Sequence, residues 1–145
     1  PRVLDATRCI SYLTIELRDE IPAPLRPLMG ELVFGCDICQ DVCPWNRKFA
    51  HDVTDPELQP RPELVAPDLG ELVQLSEEQF RARFRGSPVL RTKRRGLARN
   101  VAVALGNRGA AGDAAALQRA AQDPEPLVRE HAAWALAQRT HHEDR

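Results

Sequence analysis

Three cysteines lie close together in a spacing that could hold iron. Cys36, Cys39 and Cys43 occur in the run Gly-Cys-Asp-Ile-Cys-Gln-Asp-Val-Cys-Pro-Trp-Asn that begins at Gly35. C-x2-C-x3-C-P is the closing part of the bacterial ferredoxin motif, in which cysteine thiolates bind an iron-sulfur cluster. The proline after the last cysteine turns the chain away from the ligands. The spacing therefore predicts an iron-sulfur centre.

The motif is one cysteine short of a complete ligand run. Val33 stands where C-x2-C-x2-C-x3-C-P would have its first cysteine, and Cys9 is the only other cysteine in the chain. Either all four thiolates hold one cluster, or Cys43 ligates a second cluster, as the cysteine before the proline does in two-cluster ferredoxins. The second arrangement needs further cysteines upstream of Pro1. Because the sequence opens on proline without a targeting segment, we expect a C-terminal fragment of a longer protein.

Zinc and disulfide bonds are the alternatives for these cysteines. A four-thiolate zinc site accepts a C-x2-C pair, but structural zinc sites usually consist of two close pairs, and the x3 step before proline favours a cluster. Disulfides are typical of exported proteins, and nothing in the sequence marks export. The pattern favours iron-sulfur over both alternatives.

The rest of the sequence predicts a mainly α-helical protein with an uneven charge distribution. Alanine and leucine are abundant and β-branched runs are scarce, which favours helices. No apolar stretch is long enough to span a bilayer, so we expect no membrane partner. The net charge is -1, yet nine basic residues and no acidic one lie between Arg81 and Arg108. This basic stretch indicates a polyanion partner such as nucleic acid, and a solvated charged surface is the alternative.

The chain divides into three predicted regions. Residues 1–48 form the cysteine region, as a partial ferredoxin-like 4Fe-4S module, with helices expected over 7–17 and again from Pro24 to Gly30. Residues 49–67 form a proline-rich linker. Residues 68–145 consist of short alanine-rich helices, which predict an α-solenoid of HEAT-like repeats, with a plain helical bundle as the alternative.

Two helices of the last region carry clear sequence signals. Ser76 and Gln79 form a capping box that begins a helix with Phe80 and Phe84 on one face. A second helix is predicted from Thr92 to Leu105. It places Leu97, Val101 and Ala104 on one side and Arg91, Arg95 and Arg99 on the other. Arginines spaced in this way could follow a nucleic-acid backbone.

Two phrases of the sequence resemble one enzyme family. They are Leu-Asp-Ala-Thr-Arg-Cys-Ile-Ser-Tyr-Leu-Thr-Ile-Glu, beginning at Leu4, and the cysteine run that begins at Gly35; Arg99-Asn100 and Ala-Leu-Gly-Asn from Ala104 add to them. With these phrases the chain resembles the C-terminal part of the epoxyqueuosine reductases. The likeness covers essentially the whole chain, whereas the cobalamin-binding N-terminal domain and the first ferredoxin cysteine run of that family are absent from it.

The resemblance implies an oxidoreductase that removes the epoxide oxygen of epoxyqueuosine in a tRNA anticodon loop. It further implies cobalamin for the reductive chemistry and two 4Fe-4S clusters for electron delivery. The expected partners are tRNA and an electron donor of unknown identity. The enzyme is expected to be a cytoplasmic monomer. The general acid belongs to the absent domain, so we name no catalytic residue in this chain and expect no activity from it alone.

The resemblance also implies roles for individual residues. Cys9, Cys36 and Cys39 would ligate the cluster nearer the cobalamin, completed by an upstream cysteine, and Cys43 would ligate the other cluster. Ser11, Cys36 and Asp37 would lie against the cobalamin. The predicted tRNA contacts are Arg18, Arg26, Thr92, Lys93, Arg94, Arg95 and Arg99.

Two other classes of function fit the residues. One is a ferredoxin-like electron carrier with a helical docking module, and the other is a zinc-stabilised RNA-binding protein without a redox role. Visible absorption and an electron-spin signal after reduction would exclude zinc. Salt-sensitive tRNA binding would disfavour a pure electron carrier.

Overall fold

The computed structural model describes residues 3–143, apart from the side chains of residues 57, 63 and 139–143. All regular structure in this range is helical. The α-helices are α1 (Ile38–Asp41), α2 (Pro44–Phe49), α3 (Leu69–Leu72), α4 (Glu77–Arg83), α5 (Lys93–Arg108), α6 (Ala114–Ala120) and α7 (Pro126–Glu143). Short 3-10 helices occur at Ala6–Arg8, Ala23–Leu25, Pro27–Met29, Pro56–Leu58, Pro62–Leu64, Pro88–Thr92 and Ala111–Asp113, and a π-helix at Tyr12–Glu16. Within the described residues no helix combines the length and apolar character that crossing a membrane requires.

The chain forms two compact units. The helical unit joins the segment up to Gly35 with the chain from Leu69 onwards, and the cysteine unit is the segment from Cys36 to Asp68. The sequence-based prediction placed a region boundary at residue 48, whereas the segment before Gly35 packs with the later helices in the structure. The contacts responsible come largely from α5.

Helix α5 is the centre of the helical unit. Every residue from Gly96 to Gly106 is buried, because α7 covers one side of the helix and the segment before Gly35 lies against another. Val128, Ala132 and Ala135 of α7 are buried in the same core. The prediction that α5 exposes an arginine-bearing side at Arg99 is wrong, since this residue is only 1% exposed.

The segment before Gly35 contributes its own apolar cluster to this core. Leu13, Ile21 and Met29 are buried with Val103 of α5. The helix predicted over 7–17 is divided into a 3-10 turn and the π-helix. Thr14 explains part of this difference, because its hydroxyl donates to the carbonyl of Ile10 at 2.7 Å and competes with the α-helical backbone bond.

Local capping signals correspond closely to the structure. Ser76 and Gln79 form both hydrogen bonds of the capping box at the start of α4, and Phe80 and Phe84 pack with their rings 5.3 Å apart. Gly86 follows with φ of 70°, a conformation that favours glycine. Asp113 precedes α6 without a side-chain capping bond, and its carboxylate instead accepts hydrogen bonds from Arg108.

A buried histidine connects α7 to the segment before Gly35. The Nε2 atom of His131 accepts a hydrogen bond from the backbone of Ile21 at 3.1 Å, and Nδ1 lies 2.8 Å from the carbonyl oxygen of Leu127. Nδ1 is also 2.7 Å from Glu130, whose carboxylate pairs with Arg26. Burial is the main cause that lowers the pKa of His131 to about 4. The hydrogen bond with Leu127 opposes this shift, and the positive charges of nearby arginines add to it.

This pKa shift predicts that stability falls with acidification. The folded state binds a proton at His131 less readily than the unfolded state does. Unfolding therefore becomes more favourable as the pH falls from about 6.5 towards 4. We expect a loss of about 2 kcal/mol between pH 7 and pH 5. Urea unfolding at the two pH values would measure it. His131→Gln should reduce the difference, whereas His51→Gln, at an exposed position, should retain it.

Candidate iron-sulfur centre and basic surface

The three clustered cysteines lie in or next to two short helices of the cysteine unit. Cys36 precedes α1, Cys39 lies on α1, and Cys43 caps the start of α2, where Pro44 is the first helical residue. Proline suits this position because its ring fixes a helical φ and the first turn needs no N–H donor there. The ligand spacing thus coincides with two helix starts joined by one turn.

Side-chain hydrogen bonds hold this turn together. The Asn46 side-chain amide donates to the Gln40 backbone carbonyl at 3.2 Å and to the Gln40 side-chain oxygen at 2.8 Å. The Gln40 amide in turn lies 3.9 Å from Sγ of Cys39. Asn46 therefore links α2 to the C-terminal end of α1, between two predicted ligands.

All four cysteines lie within the described residues, and none is in a disulfide bond. Cys9 and Cys39 are exposed, whereas Cys36 and Cys43 are half-buried. Cys9 ends the Ala6–Arg8 turn in the helical unit. The disulfide alternative therefore has no support in the structure.

The donor chemistry of the cysteine unit fits a thiolate-bound metal or cluster. Sulfur ligands favour iron-sulfur clusters, zinc or copper(I), whereas oxygen ligands favour harder ions. Among the side chains that the structure describes, no three of His, Cys, Asp or Glu lie close enough together to hold a metal ion. In sites of this kind the binding of a metal or cluster is coupled to folding, because it brings the ligands together.

The residues predicted to contact cobalamin are placed in both units. Ser11 is half-buried beside the π-helix, and its carbonyl oxygen lies 3.4 Å from the Thr14 hydroxyl. Asp37 is exposed at the start of α1. Their part in binding cobalamin stays a prediction.

The basic stretch is largely neutralised by carboxylates from elsewhere in the chain. Most of its arginines form ion pairs, and the pairs are Arg81–Glu77, Arg83–Glu71, Arg91–Glu16, Arg94–Asp123 and Arg108–Asp113. Arg94 is the most tightly held, with two contacts to Asp123 at 2.9 and 2.5 Å and a hydrogen bond to the carbonyl of Leu75. A local excess of positive charge in the sequence is therefore not a bare cationic surface.

Three of the predicted tRNA contacts are buried. Arg99 is 1% exposed, and Arg26 and Thr92 are each 3% exposed. Arg26 donates to the carbonyl of Ile21 and pairs with Glu130. Each of these side chains bonds within the protein and so has a structural role, and its part in tRNA binding stays a prediction.

Other members of the predicted set lie around a groove at the start of α5. Lys93, Arg94 and Arg95 line a groove of about 760 Å³ together with Arg81 and Leu90. Lys93 is exposed, and Arg95 also lines an adjoining depression with Arg18. Lys93 has φ of 62° and ψ of 163°, a backbone conformation that only glycine adopts without strain.

Sequence patterns did not indicate the polar network inside α5. Arg99 and Asn100 are adjacent, both fully buried, and bonded to backbone carbonyls more than 60 residues away along the chain. The Arg-Asn pair was visible only as part of the family resemblance. No periodicity distinguishes an arginine that binds backbone carbonyls from one that faces solvent.

Comparisons with known proteins support an iron-sulfur site in this chain. Residues 1–46 match the family described as the 4Fe-4S double cluster binding domain. The chain is 47% identical over 138 residues to an epoxyqueuosine reductase of Shigella dysenteriae, across 95% of this chain and 36% of the relative. It is 50% identical over 137 residues to that of Pseudomonas aeruginosa, across 94% and 38%.

Solved structures show the same likeness. A crystal structure of epoxyqueuosine reductase with an epoxyqueuosine-modified tRNA-Tyr stem loop superposes with a TM-score of 0.85 at 34% identity, across 93% of this chain and 36% of that one. The Bacillus subtilis structure gives 0.81, also at 34% identity and with the same coverage. The chain spans little more than a third of the length of the relatives it matches. The resemblance noted from the cysteine and N-terminal phrases is confirmed.

Proposed function

We propose that this chain is part of an epoxyqueuosine reductase, a tRNA-modifying oxidoreductase that converts epoxyqueuosine to queuosine. The observation that carries the proposal is the ferredoxin-type cysteine motif in a chain 47% identical to such reductases over nearly all its length. Reducing the epoxide to the alkene consumes two electrons and two protons and releases water. Iron-sulfur clusters supply single-electron transfer for such a reaction.

The cysteine spacing and the resemblance support a division of the thiolates between two clusters. In this proposal Cys9, Cys36 and Cys39 bind one 4Fe-4S cluster, and Cys43 binds the other. The remaining ligands come from cysteines outside this chain. Cobalamin contacts at Ser11, Cys36 and Asp37 belong to the same proposal and rest on the resemblance alone.

The three regions predicted from the sequence are part of the same proposal. Residues 1–48 carry the cluster ligands, residues 49–67 form a proline-rich linker, and residues 68–145 form a HEAT-like helical domain. The close packing of the alanine-rich helices α5, α6 and α7 supports a helical repeat architecture. The helical domain would present the tRNA-contacting surface.

We place the tRNA contacts at the groove that begins α5. Lys93 and Arg95 line this groove and Arg18 lines the adjoining depression, and all three side chains are at least partly exposed. Phosphate contacts of this kind orient RNA without reading its sequence. Arg94 borders the same groove, although its ion pair with Asp123 leaves it less able to contact phosphate. A surface of few cations fits recognition of a folded stem loop by its shape.

Complementation tests the proposed function. The gene encoding the protein that contains this chain would be expressed in a bacterial strain lacking its own epoxyqueuosine reductase, and tRNA nucleosides would be measured by mass spectrometry. We expect queuosine to replace epoxyqueuosine. Accumulation of epoxyqueuosine alone, with an iron-loaded protein present, would contradict the proposal and favour an electron carrier; a zinc-loaded protein would favour the RNA-binding alternative.

Lys93 offers a test in which tRNA affinity and stability change in opposite directions. Lys93→Gly removes one cation and also relieves the strained backbone conformation, worth about 1 kcal/mol. We expect weaker tRNA binding, a salt slope smaller by about one, and a melting temperature that does not fall. Filter binding across a salt series and thermal unfolding would measure both effects.

Two variants serve as controls for this test. Lys93→Arg keeps the charge and should retain the salt slope. Arg119→Ala removes a cation that does not line the groove and should leave tRNA binding unchanged. Unaltered binding in Lys93→Gly would remove this residue from the proposed surface.

A further inference from the structure

Arg99 forms a buried contact with the chain that follows Cys9. Its Nη2 donates to the carbonyl of Leu13 at 2.7 Å, and the N–H of Leu13 donates to the carbonyl of Cys9 at 2.9 Å. Its Nη1 donates to the carbonyls of Leu17 and Asp19 at 3.0 and 2.6 Å. The guanidinium therefore donates to a carbonyl in the single turn of the π-helix and to two carbonyls just beyond it. Carbonyls at the C-terminal end of a helix have no donor within the helix itself.

Asn100 forms a second contact that joins both sides of the predicted ligand region. Its side-chain amide donates to the carbonyl of Thr14 at 2.8 Å and to that of Val33 at 2.9 Å. Its oxygen accepts from Arg99 at 3.0 and 2.8 Å. One side chain thus bonds both the π-helix after Cys9 and the irregular segment that leads into Cys36.

Thr14 completes the connection to the residue before Cys36. Its hydroxyl accepts a hydrogen bond from the N–H of Gly35 at 3.0 Å while donating to Ile10. Gly35 has φ of 76°, so its backbone direction is one that other residues rarely adopt. The direction of the chain just before Cys36 is therefore set by bonds that begin in α5.

A buried arginine and asparagine are costly unless their partners are well placed. Burying a charge in the core is unfavourable, and replacement by apolar side chains is often neutral or stabilising. Among the described residues, no buried side-chain nitrogen or oxygen lacks a hydrogen-bond partner. A polar network this complete gives the backbone one defined arrangement, which an apolar contact would not enforce.

We propose that Arg99, Asn100 and Thr14 are positioning residues for the iron-sulfur centre. They fix the direction of the chain where it leaves Cys9 and where it approaches Cys36, and this backbone geometry in turn influences the reduction potential of the cluster. The inference rests on the proposed function, because it requires the cluster. It extends that proposal by assigning control of the cluster to residues of the helical domain that touch neither iron nor sulfur. Outer residues of this kind tune bound metals through ligand orientation.

Thr14 provides the sharpest test, since a nearly isosteric pair of variants is available. Thr14→Val removes the hydroxyl bonded to Gly35, whereas Thr14→Ser keeps it. In the anaerobically purified protein that contains this chain, we expect Thr14→Val to shift the midpoint potential and electron-spin spectrum of one cluster and to release iron to a chelator at least ten times faster. Thr14→Ser should retain the wild-type potential and spectrum.

Asn100→Ala and Val128→Ala separate positioning from general destabilisation. Both remove buried side chains of the helical unit, but the side chain of Val128 has no polar atom with which to hydrogen-bond to either ligand segment. We expect the potential to change in Asn100→Ala and not in Val128→Ala, at comparable losses of melting temperature. Wild-type potential, spectrum and iron release in Thr14→Val would overturn the inference, and so would equal changes in Val128→Ala. Queuosine formation is scored separately, so an inactive but cluster-loaded protein would contradict only the proposed function.

Discussion

Replacing Cys39 with serine is expected to abolish one iron-sulfur cluster and, under the proposed function, the reduction of epoxyqueuosine with it. Serine is isosteric with cysteine but binds iron weakly, because its hydroxyl is a harder donor than a thiolate. The residue is exposed on α1, so its loss should not disturb the fold. We expect activity to fall by more than about 100-fold, beyond the effect typical of outer-shell residues. The iron content should fall by half if the thiolates bind two clusters, and almost entirely if they bind one.

The same experiment distinguishes the two ligand arrangements that the spacing left open. If Cys43 ligates a second cluster, Cys39→Ser and Cys43→Ser should each remove a different electron-spin signal from the reduced protein. If one cluster binds all four thiolates, both variants should remove the same signal. Asp41→Ser, an exposed change on the same short helix, is the control and should retain all iron. Full iron content and activity in Cys39→Ser would remove this residue from the ligand set.

Local sequence signals predicted local structure well in this protein. The capping box at Ser76 and the shared face of Phe80 and Phe84 depend on neighbouring residues and the period of a helix, and the structure contains both. The cysteine motif was equally local. Its thiols occupy two helix starts within one turn, and the match to a cluster-binding family covers the same residues.

Charge was predicted less well because it is a long-range property. The basic stretch contains no acidic residue of its own, yet Glu16 and Asp123 approach it from far along the chain. Arg99 was assigned to a surface because helical periodicity places it opposite Leu97, whereas in the structure it is buried and bonds to the segment before Gly35. A helix covered on several sides carries no amphipathic pattern from which its environment can be inferred.

Gly106→Ala is expected to destabilise the helical core strongly. A Cβ atom at this position would lie 2.7 Å from Cβ and 2.8 Å from Cα of Ala135, and 3.1 Å from the Trp134 ring. Because one of these atoms is backbone, α5 and α7 would have to separate. Overpacking of this kind costs about 3 kcal/mol, which corresponds to a melting temperature lower by roughly 10 °C in a chain of this size.

Gly112→Ala is the matched control, since a Cβ atom added there would have no heavy atom within 4 Å and the φ of this residue is not positive. It should leave stability unchanged or raise it by up to about 1 kcal/mol, because alanine restricts the unfolded chain more than glycine does. Thermal and urea unfolding would compare the two variants. A melting temperature for Gly106→Ala within a few degrees of wild type would show that the helices can separate at little cost.

The double variant Gly106→Ala with Ala135→Gly tests whether steric overlap with Ala135 causes the loss of stability. Removing the Ala135 methyl group restores space at the crossing, so part of the lost stability should return despite the lower helix propensity of glycine. Additive losses in the double variant would instead indicate that each residue acts alone. Because α5 also carries Arg99 and Asn100, a forced separation of α5 from α7 should reach the segment before Gly35. Gly106→Ala is therefore expected to lower iron retention as well, and the double variant to restore it in proportion to its stability.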